Sequence, residues 1–225
     1  MKLFGIEIDR KTDILAFAAF VISITQLIYS LYGFMSGPRV RLYPSEQILM
    51  KVVEYPRAGR YLMLNTRMAY VNTGQPGNNT AIGKETISFR ILGNDGEWRR
   101  YEHQWQRFES FDLVGTSLRS IKSEPAIPVP INAGSAVSHE TSFAPRSVPG
   151  KEGADKWKNF LPWEDFIAAL NRMESHGIRR LEFTVTAEIL GKKPISTTYE
   201  VDLDRNLIDR LTRETWASPA CTAKE

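Results

Sequence analysis

Leu181-Glu182-Phe183-Thr184-Val185-Thr186-Ala187-Glu188-Ile189 alternates apolar and polar side chains without a break. Successive side chains of a strand point to opposite faces. Leu181, Phe183, Val185, Ala187 and Ile189 therefore share one face, and Glu182, Thr184, Thr186 and Glu188 the other. One face is set for a core and one for water, which is the pattern of antiparallel sheets. The turn Gly191-Lys192-Lys193-Pro194 follows, after which Tyr199, Val201 and Leu203 alternate with Glu200, Asp202 and Asp204.

The same period of two recurs upstream. Ile87, Phe89 and Ile91 alternate with Ser88 and Arg90, and Leu62, Leu64, Met68 and Tyr70 share a face that Thr66 interrupts. Weaker candidates are 40–42, 48–53, 126–131 and 137–143. Turn chemistry at Asn72-Thr73-Gly74, Gly77-Asn78-Asn79, Asn94-Asp95-Gly96 and Asn132-Ala133-Gly134 separates the runs. About eight or nine short strands with such turns predict a mainly β fold, an antiparallel β-sandwich. Its general look is similar to immunoglobulin-like modules, although strand order is not legible and no family motif is present.

One helix interrupts the strands. Pro162 suits its first turn and Glu164 and Asp165 its positive end. Trp163, Phe166, Ile167, Leu170 and Met173 form its apolar stripe, and Gly177 ends it, giving a helix near 163–176. A shorter one is expected from Asn206 to Trp216. Residues 113–130 and 144–160, rich in Pro, Ser, Gly and Lys, read as loose.

The period changes completely at the start of the chain. Ile14 to Met35 contains no charged side chain, and such a run reaches ~33 Å as a helix, enough to cross a bilayer. It exceeds the ~7–15 apolar residues of a cleavable signal, and Pro38 spoils the cleavage position at Gly37. A buried core helix would need apolar partners on every side. The reading is therefore an anchor, with Thr12 or Asp13 at its start, Gly37-Pro38 at its end, and Tyr29, Tyr32 and Phe34 as an interfacial belt.

Most small or polar residues of the span fall on one seam, Ala16, Ala19, Ser23, Gln26, Ser30 and Gly33, while Ala18 and Thr25 fall off it, as they would if such residues were simply common in spans and the serines bonded their own helix. In lipid, helices associate through close packing and hydrogen bonds rather than through hydrophobicity. Gln26 near mid-span would lack a partner facing lipid. The expected organisation is a polar tail over 1–13, an anchor over 14–37, the β-sandwich domain over 38–216 and a flexible tail over 217–225. Lys2, Arg10 and Lys11 on one side balance Arg39, Arg41 and Lys51 on the other, so basic flanks do not orient the span. Asn78-Asn79-Thr80 matches a glycosylation sequon.

The composition excludes several classes. The net charge of +3 is dispersed, too slight an excess for a nucleic-acid partner. Cys221 is the single cysteine, so no internal disulfide and no cysteine-based zinc site can form. His103, His139 and His176 lack ligands at metal spacing on their own elements. Asp202-x-Asp204-x-Asn206 opens like a calcium loop, but Leu207 and Arg213 occupy its glycine and glutamate positions. No nucleophile elbow, phosphate-binding loop or dinucleotide fingerprint occurs, so the reading is non-enzymatic and without a cofactor.

The most unusual soluble stretch is 98–108, where Trp98, Arg99, Arg100, Tyr101, Trp105 and Arg107 interleave aromatic and basic groups, read either as an aromatic core face with solvated arginines on the other side or as groups of the kind that anchor interfaces. The preceding Asn-Asp-Gly turn favours a strand there, which would put Tyr101, His103 and Trp105 on one face. The sequence thus predicts a single-pass, membrane-anchored interaction or sensing module. Its partners are lipid, copies of itself or another membrane protein along the span, and a protein ligand at 98–108. The alternative is a subunit of an oligomeric effector or channel, with Ser23, Gln26 and Ser30 lining a polar path.

Overall fold

A computed structural model of the chain describes residues 2–3, 6–7, 12–55, 59–114, 117–147, 157–158 and 160–224. Two short strands, β1 (Lys2–Leu3) and β2 (Ile6–Glu7), pair with each other ahead of a long helix, α1 (Thr12–Ser36). The domain then runs β3 (Val40–Tyr55), β4 (Gly59–Asn72), β5 (Thr80–Leu92), β6 (Trp98–Val114), β7 (Ser117–Pro125), β8 (Val129–Ile131), β9 (Ala136–Ser147) and β10 (Trp157–Lys158). It finishes with α2 (Trp163–Ser175), β11 (Arg180–Ile189), β12 (Ile195–Asp202), α3 (Arg205–Glu214), β13 (Trp216–Ala217) and β14 (Cys221–Lys224).

The alternation in β11 is realised residue by residue: Leu181, Phe183, Val185, Ala187 and Ile189 are all buried. A slip of one residue would replace that set with Glu182, Thr184, Thr186 and Glu188. Each large apolar side chain turned to water would cost ~1.5–3 kcal/mol, so the register is fixed. Ile87, Phe89 and Ile91 of β5 and Leu62, Leu64, Met68 and Tyr70 of β4 join the same core. Thr66 also faces inward, and its hydroxyl donates to the Gln47 carbonyl at 3.1 Å.

The strands form one hydrogen-bonded antiparallel sheet, ordered β13-β3-β4-β9-β6-β5-β11-β12-β14, with β7, β8 and β10 as side branches. The sheet curls around its core. The expected sandwich is therefore met at the coarser level of a curled antiparallel sheet; the ladder is continuous from edge to edge. The two weak runs 40–42 and 48–53 are one strand, β3, kinked by a bulge between Pro44 and Ile48.

Most of 113–130, expected to be loose, is strand: β7 pairs with the distal half of β6. This hairpin lies over the outer face of β4. There Tyr61, Met63 and Ala144, with Val53, Phe111 and Phe160, make a second small apolar cluster, and the Lys51 ammonium sits 3.8 Å from the centre of the Phe111 ring. Most of the stretch 148–160 lies outside the described residues.

Both short helices lie at the end of the sheet opposite α1. Pro162, at the N-cap of α2, bridges to Tyr61 at the start of β4, and Arg172 donates to the Leu92 carbonyl at the end of β5 at 3.0 Å. Trp163, Phe166, Ala169, Leu170 and Met173 bury the stripe of α2. The Asp204 carboxylate caps α3, accepting from the Leu207 amide at 2.7 Å, which gives that acid a structural task.

The C-terminal residues differ most from expectation. Composition marks 217–225 as a flexible tail, yet β13 pairs with β3, β14 pairs with β12, and Gln47 bridges to Ala220 between them. Two exposed strand edges offer unmet backbone donors and acceptors, and this segment pairs with part of each. Cys221, the first residue of β14, is buried, and burial pushes its thiol up to about 11, so it is a packing residue rather than a reactive one. Deleting 216–225 should lower the thermal midpoint by about 10 °C or more and promote self-association through the freed edges. Circular dichroism and size-exclusion chromatography of the detergent-solubilised chain would read this, and an unchanged midpoint would contradict the closure.

Candidate functional site

Two constellations of polar groups stand out, one where α1 meets the sheet and one inside the curl. At the first, the last carbonyls of α1 require donors that a helix cannot supply itself. Asn78 reaches up from the β4–β5 connection, donating from Nδ2 to the carbonyls of Gly33 at 2.6 Å and Gly37 at 3.2 Å. Asn78 is itself held by Asn72, whose Nδ2 donates to the Asn78 carbonyl at 2.8 Å. The Asn72 Oδ1 accepts from the amides of Arg39 at 3.1 Å and Gly74 at 3.0 Å. Gln75 donates to the Tyr29 hydroxyl at 3.4 Å, and the Lys192 ammonium to the Ser36 carbonyl at 3.4 Å.

Gly37 stops the helix with a φ of 65°, a conformation that glycine adopts without strain. Asn78 is only 5% exposed and its amide is engaged, so the sequon at Asn78-Asn79-Thr80 is closed to a glycosyl donor in the folded chain.

The seam residues of α1 divide at this junction. Ala16, Ala19, Ser23, Gln26 and Ser30 are exposed. The Ser23 hydroxyl donates to the Ala19 carbonyl at 2.8 Å, and off the seam Thr25 does the same to Val21 at 2.8 Å. Among the described residues Gln26 has no partner. Gly33, in contrast, is covered by this chain's own Gln75, whose Cγ would lie 2.9 Å from an added Cβ. The free seam therefore ends at Ser30.

The aromatic and basic stretch is strand β6, as the preceding turn implies, and the strand splits it. Tyr101 and Trp105 turn inward: Tyr101 stacks on Phe89 with centroids 5.8 Å apart, and Trp105 meets Phe108 edge-on at 5.7 Å. Trp98 stays 44% exposed with the Arg90 guanidinium over its ring, and Arg100 donates to Ser88 Oγ at 2.9 Å. Arg99 pairs with Asp95 at 2.6 Å, and Arg107 is exposed. Of the six residues, Trp98 and Arg100 share an outer face, joined by Arg90.

The second constellation is a buried carboxylate. Glu85 of β5 is fully buried and receives three side-chain partners: the Tyr70 hydroxyl at 2.5 Å, the Thr141 hydroxyl at 2.8 Å and His139 Nε2 at 2.8 Å. Tyr70 is on β4 and the other two on β9, so the carboxylate ties strands across the interior. Burial, and next the Glu85 charge, push the Tyr70 hydroxyl far above its ordinary range, so it stays protonated as a donor. His139 forms part of the wall of a surface pocket of about 290 Å³ with Arg67, Phe108, Ser138 and Glu140.

His103 is fully buried with neither ring nitrogen partnered among the described residues, and burial pushes its imidazole down to about 3. Among the described residues no three His, Cys, Asp or Glu side chains converge as metal ligands.

Sequence reasoning passed over Glu85 and Tyr70 because the cluster is assembled from three strands. One signal was available: Glu85 continues the inward series Glu85, Ile87, Phe89, Ile91 by the period of two.

No protein-family model matches the chain, and no curated protein matches it either. Among solved structures, the sporulation control protein Spo0M from Bacillus subtilis aligns over 78% of this chain and 53% of its own length, at 10% identity and a TM-score of 0.27. The chain thus spans about half the length of that protein, and a likeness at this level carries no argument about fold or function.

Two outcomes follow from the interior. Removing one member of a buried, hydrogen-bonded charge cluster typically costs ~3–5 kcal/mol. Glu85→Ala should fall in that range in chemical denaturation, with Glu85→Gln costing less because it keeps an acceptor; equal stability of the wild type and Glu85→Ala would refute the tie. His103 carries a proton below pH 6.5 when unfolded, but only below about 3 when folded. Between those values the unfolded chain binds the extra proton, so stability is full above pH 6.5 and is lost as pH falls. At ~1.4 kcal/mol per unit, this amounts to a few kcal/mol. His103→Leu should flatten that slope in denaturation measured from pH 7 to pH 4; an unaltered slope would mean that other groups carry it.

Proposed function

We propose that the chain is a single-pass membrane protein whose curled β domain is clamped to its span, and that the span assembles with copies of itself or with a membrane partner. One observation carries the reading. Ile14–Gly33 has a mean hydropathy of 2.1, and Ile14 to Tyr32 are all exposed, with only Gly33 at the foot covered by the domain. A core helix of this composition would be covered by protein, whereas lipid solvates one that is bare on all sides. The clamp supports retention of the helix over its removal as a signal. Cleavage near Gly37 would strip the buried Asn78 amide of its acceptors, at ~1–3 kcal/mol for each orphaned group.

Association is supported by Gln26, which lacks a partner within its own helix, and by Ala16, Ala19, Ser23 and Ser30, which let a second backbone approach. Ser23 turns its hydroxyl into its own helix, which favours a packing role over the lining of a polar path. The domain would then display Trp98, Arg90 and Arg100 to a protein partner, at a fixed orientation to the span.

Replacing Ala19, Ser23 and Gln26 together by leucine should weaken association in a bilayer by about tenfold, given ~0.6–2 kcal/mol for an interhelical hydrogen bond and the lost close packing. Crosslinking yield in reconstituted vesicles reads the effect. An unchanged yield would rule out the seam.

A further inference from the structure

We infer that the rim of the β domain around the base of α1 is a docking surface for anionic lipid headgroups. This rests on the membrane reading above and adds the chemistry of the contact. The rim is stitched from segments distant in sequence. Thr73 donates to the Arg39 carbonyl at 2.9 Å, the amide of Gly134 to the Asn72 carbonyl at 2.8 Å, and that of Ala133 to Asn79 Oδ1 at 3.0 Å. The β11–β12 turn joins through the Leu190 amide, which donates to the Ala81 carbonyl at 2.9 Å, and through Lys192, which reaches the carbonyl of Ser36. The connections 37–39, 73–79, 132–135 and 190–194 thus surround the foot of the helix.

Their charge is of one sign. These four connections contain Arg39, Lys192 and Lys193 and no acidic residue, and Arg41 follows on the same side of β3 as Arg39. All four basic side chains are exposed, and none has an ion-pair partner among the described residues. The opposite end of the domain differs: Asp95 pairs with Arg99, and Glu174 with Arg179 and Arg205. Leu190, 57% exposed beside the two lysines, adds an apolar tip, and Tyr29 and Tyr32 mark the same depth on the helix as an interfacial belt. Unpaired cations around an apolar tip at the mouth of a span complement a phosphate-bearing leaflet, where each gains attraction that salt screens.

The full-length chain in nanodiscs tests this by amide hydrogen exchange of Leu190–Ile195, comparing phosphatidylcholine alone with phosphatidylcholine plus phosphatidylglycerol. We expect roughly tenfold slower exchange of that turn with the anionic lipid, lost in high salt. It should also be lost in the double variant Arg41→Glu/Lys193→Glu, which removes no hydrogen bond and should keep the wild-type thermal midpoint. Protection of the α1 amides with equal exchange of the turn in both lipids would overturn the headgroup contact and leave the span intact. Unprotected α1 amides, or a chain that stays outside the disc, would overturn both. Protection reproduced by inorganic phosphate on phosphatidylcholine discs would reassign the surface to a soluble anion and so overturn it as well.

Discussion

A curled sheet that does not close on itself leaves two rows of unmet backbone donors and acceptors, and in this chain the single segment 216–224 pairs with part of both. β13 pairs along the β3 edge and β14 along the β12 edge, with Ala220 bridging to Gln47 between them. Everything inside the curl depends on that arrangement. Met50, Leu62 and Val201 are fully buried because the strands bearing them are held around one core rather than splayed. Cys221, the one thiol, serves as a small apolar filler at the join.

The helix ahead of the domain poses a second problem of unmet groups. Its terminal carbonyls face neither a partner strand nor a further helical turn. Asn78, backed by Asn72, supplies donors from the β4–β5 connection, and Lys192 adds a charged donor from the other side. The helix is therefore joined to the sheet through side-chain hydrogen bonds.

Tyr70 and Glu85 belong to an interior that is more polar than a packed core requires. Glu85 is tolerated because three partners converge on it, whereas His103 is tolerated by staying neutral. The two solutions respond oppositely to removal. The carboxylate cluster leaves orphaned donors if one member is lost, while the lone imidazole can give way to an apolar side chain at little cost.

The sequence by itself determined the local periods. The alternation of β11, β12 and β5, the stripe of Trp163–Met173 and the uncharged run from Ile14 all reappear where they were read, because each is fixed by which side chains neighbouring residues can bury. It did not determine what pairs with what. Pro44 hid the continuity of β3, the polar composition of 117–125 hid a strand whose backbone ladder needs no apolar face, and the Ser/Pro/Ala character of 217–225 hid the segment that pairs with both edges. Only the tertiary structure brought Glu85 to Tyr70, His139 and Thr141, or set Lys192 and Lys193 beside Arg39 at the foot of the helix. Hydrogen bonds and charge clusters of that kind join residues far apart in the chain, and no period along a single segment encodes them.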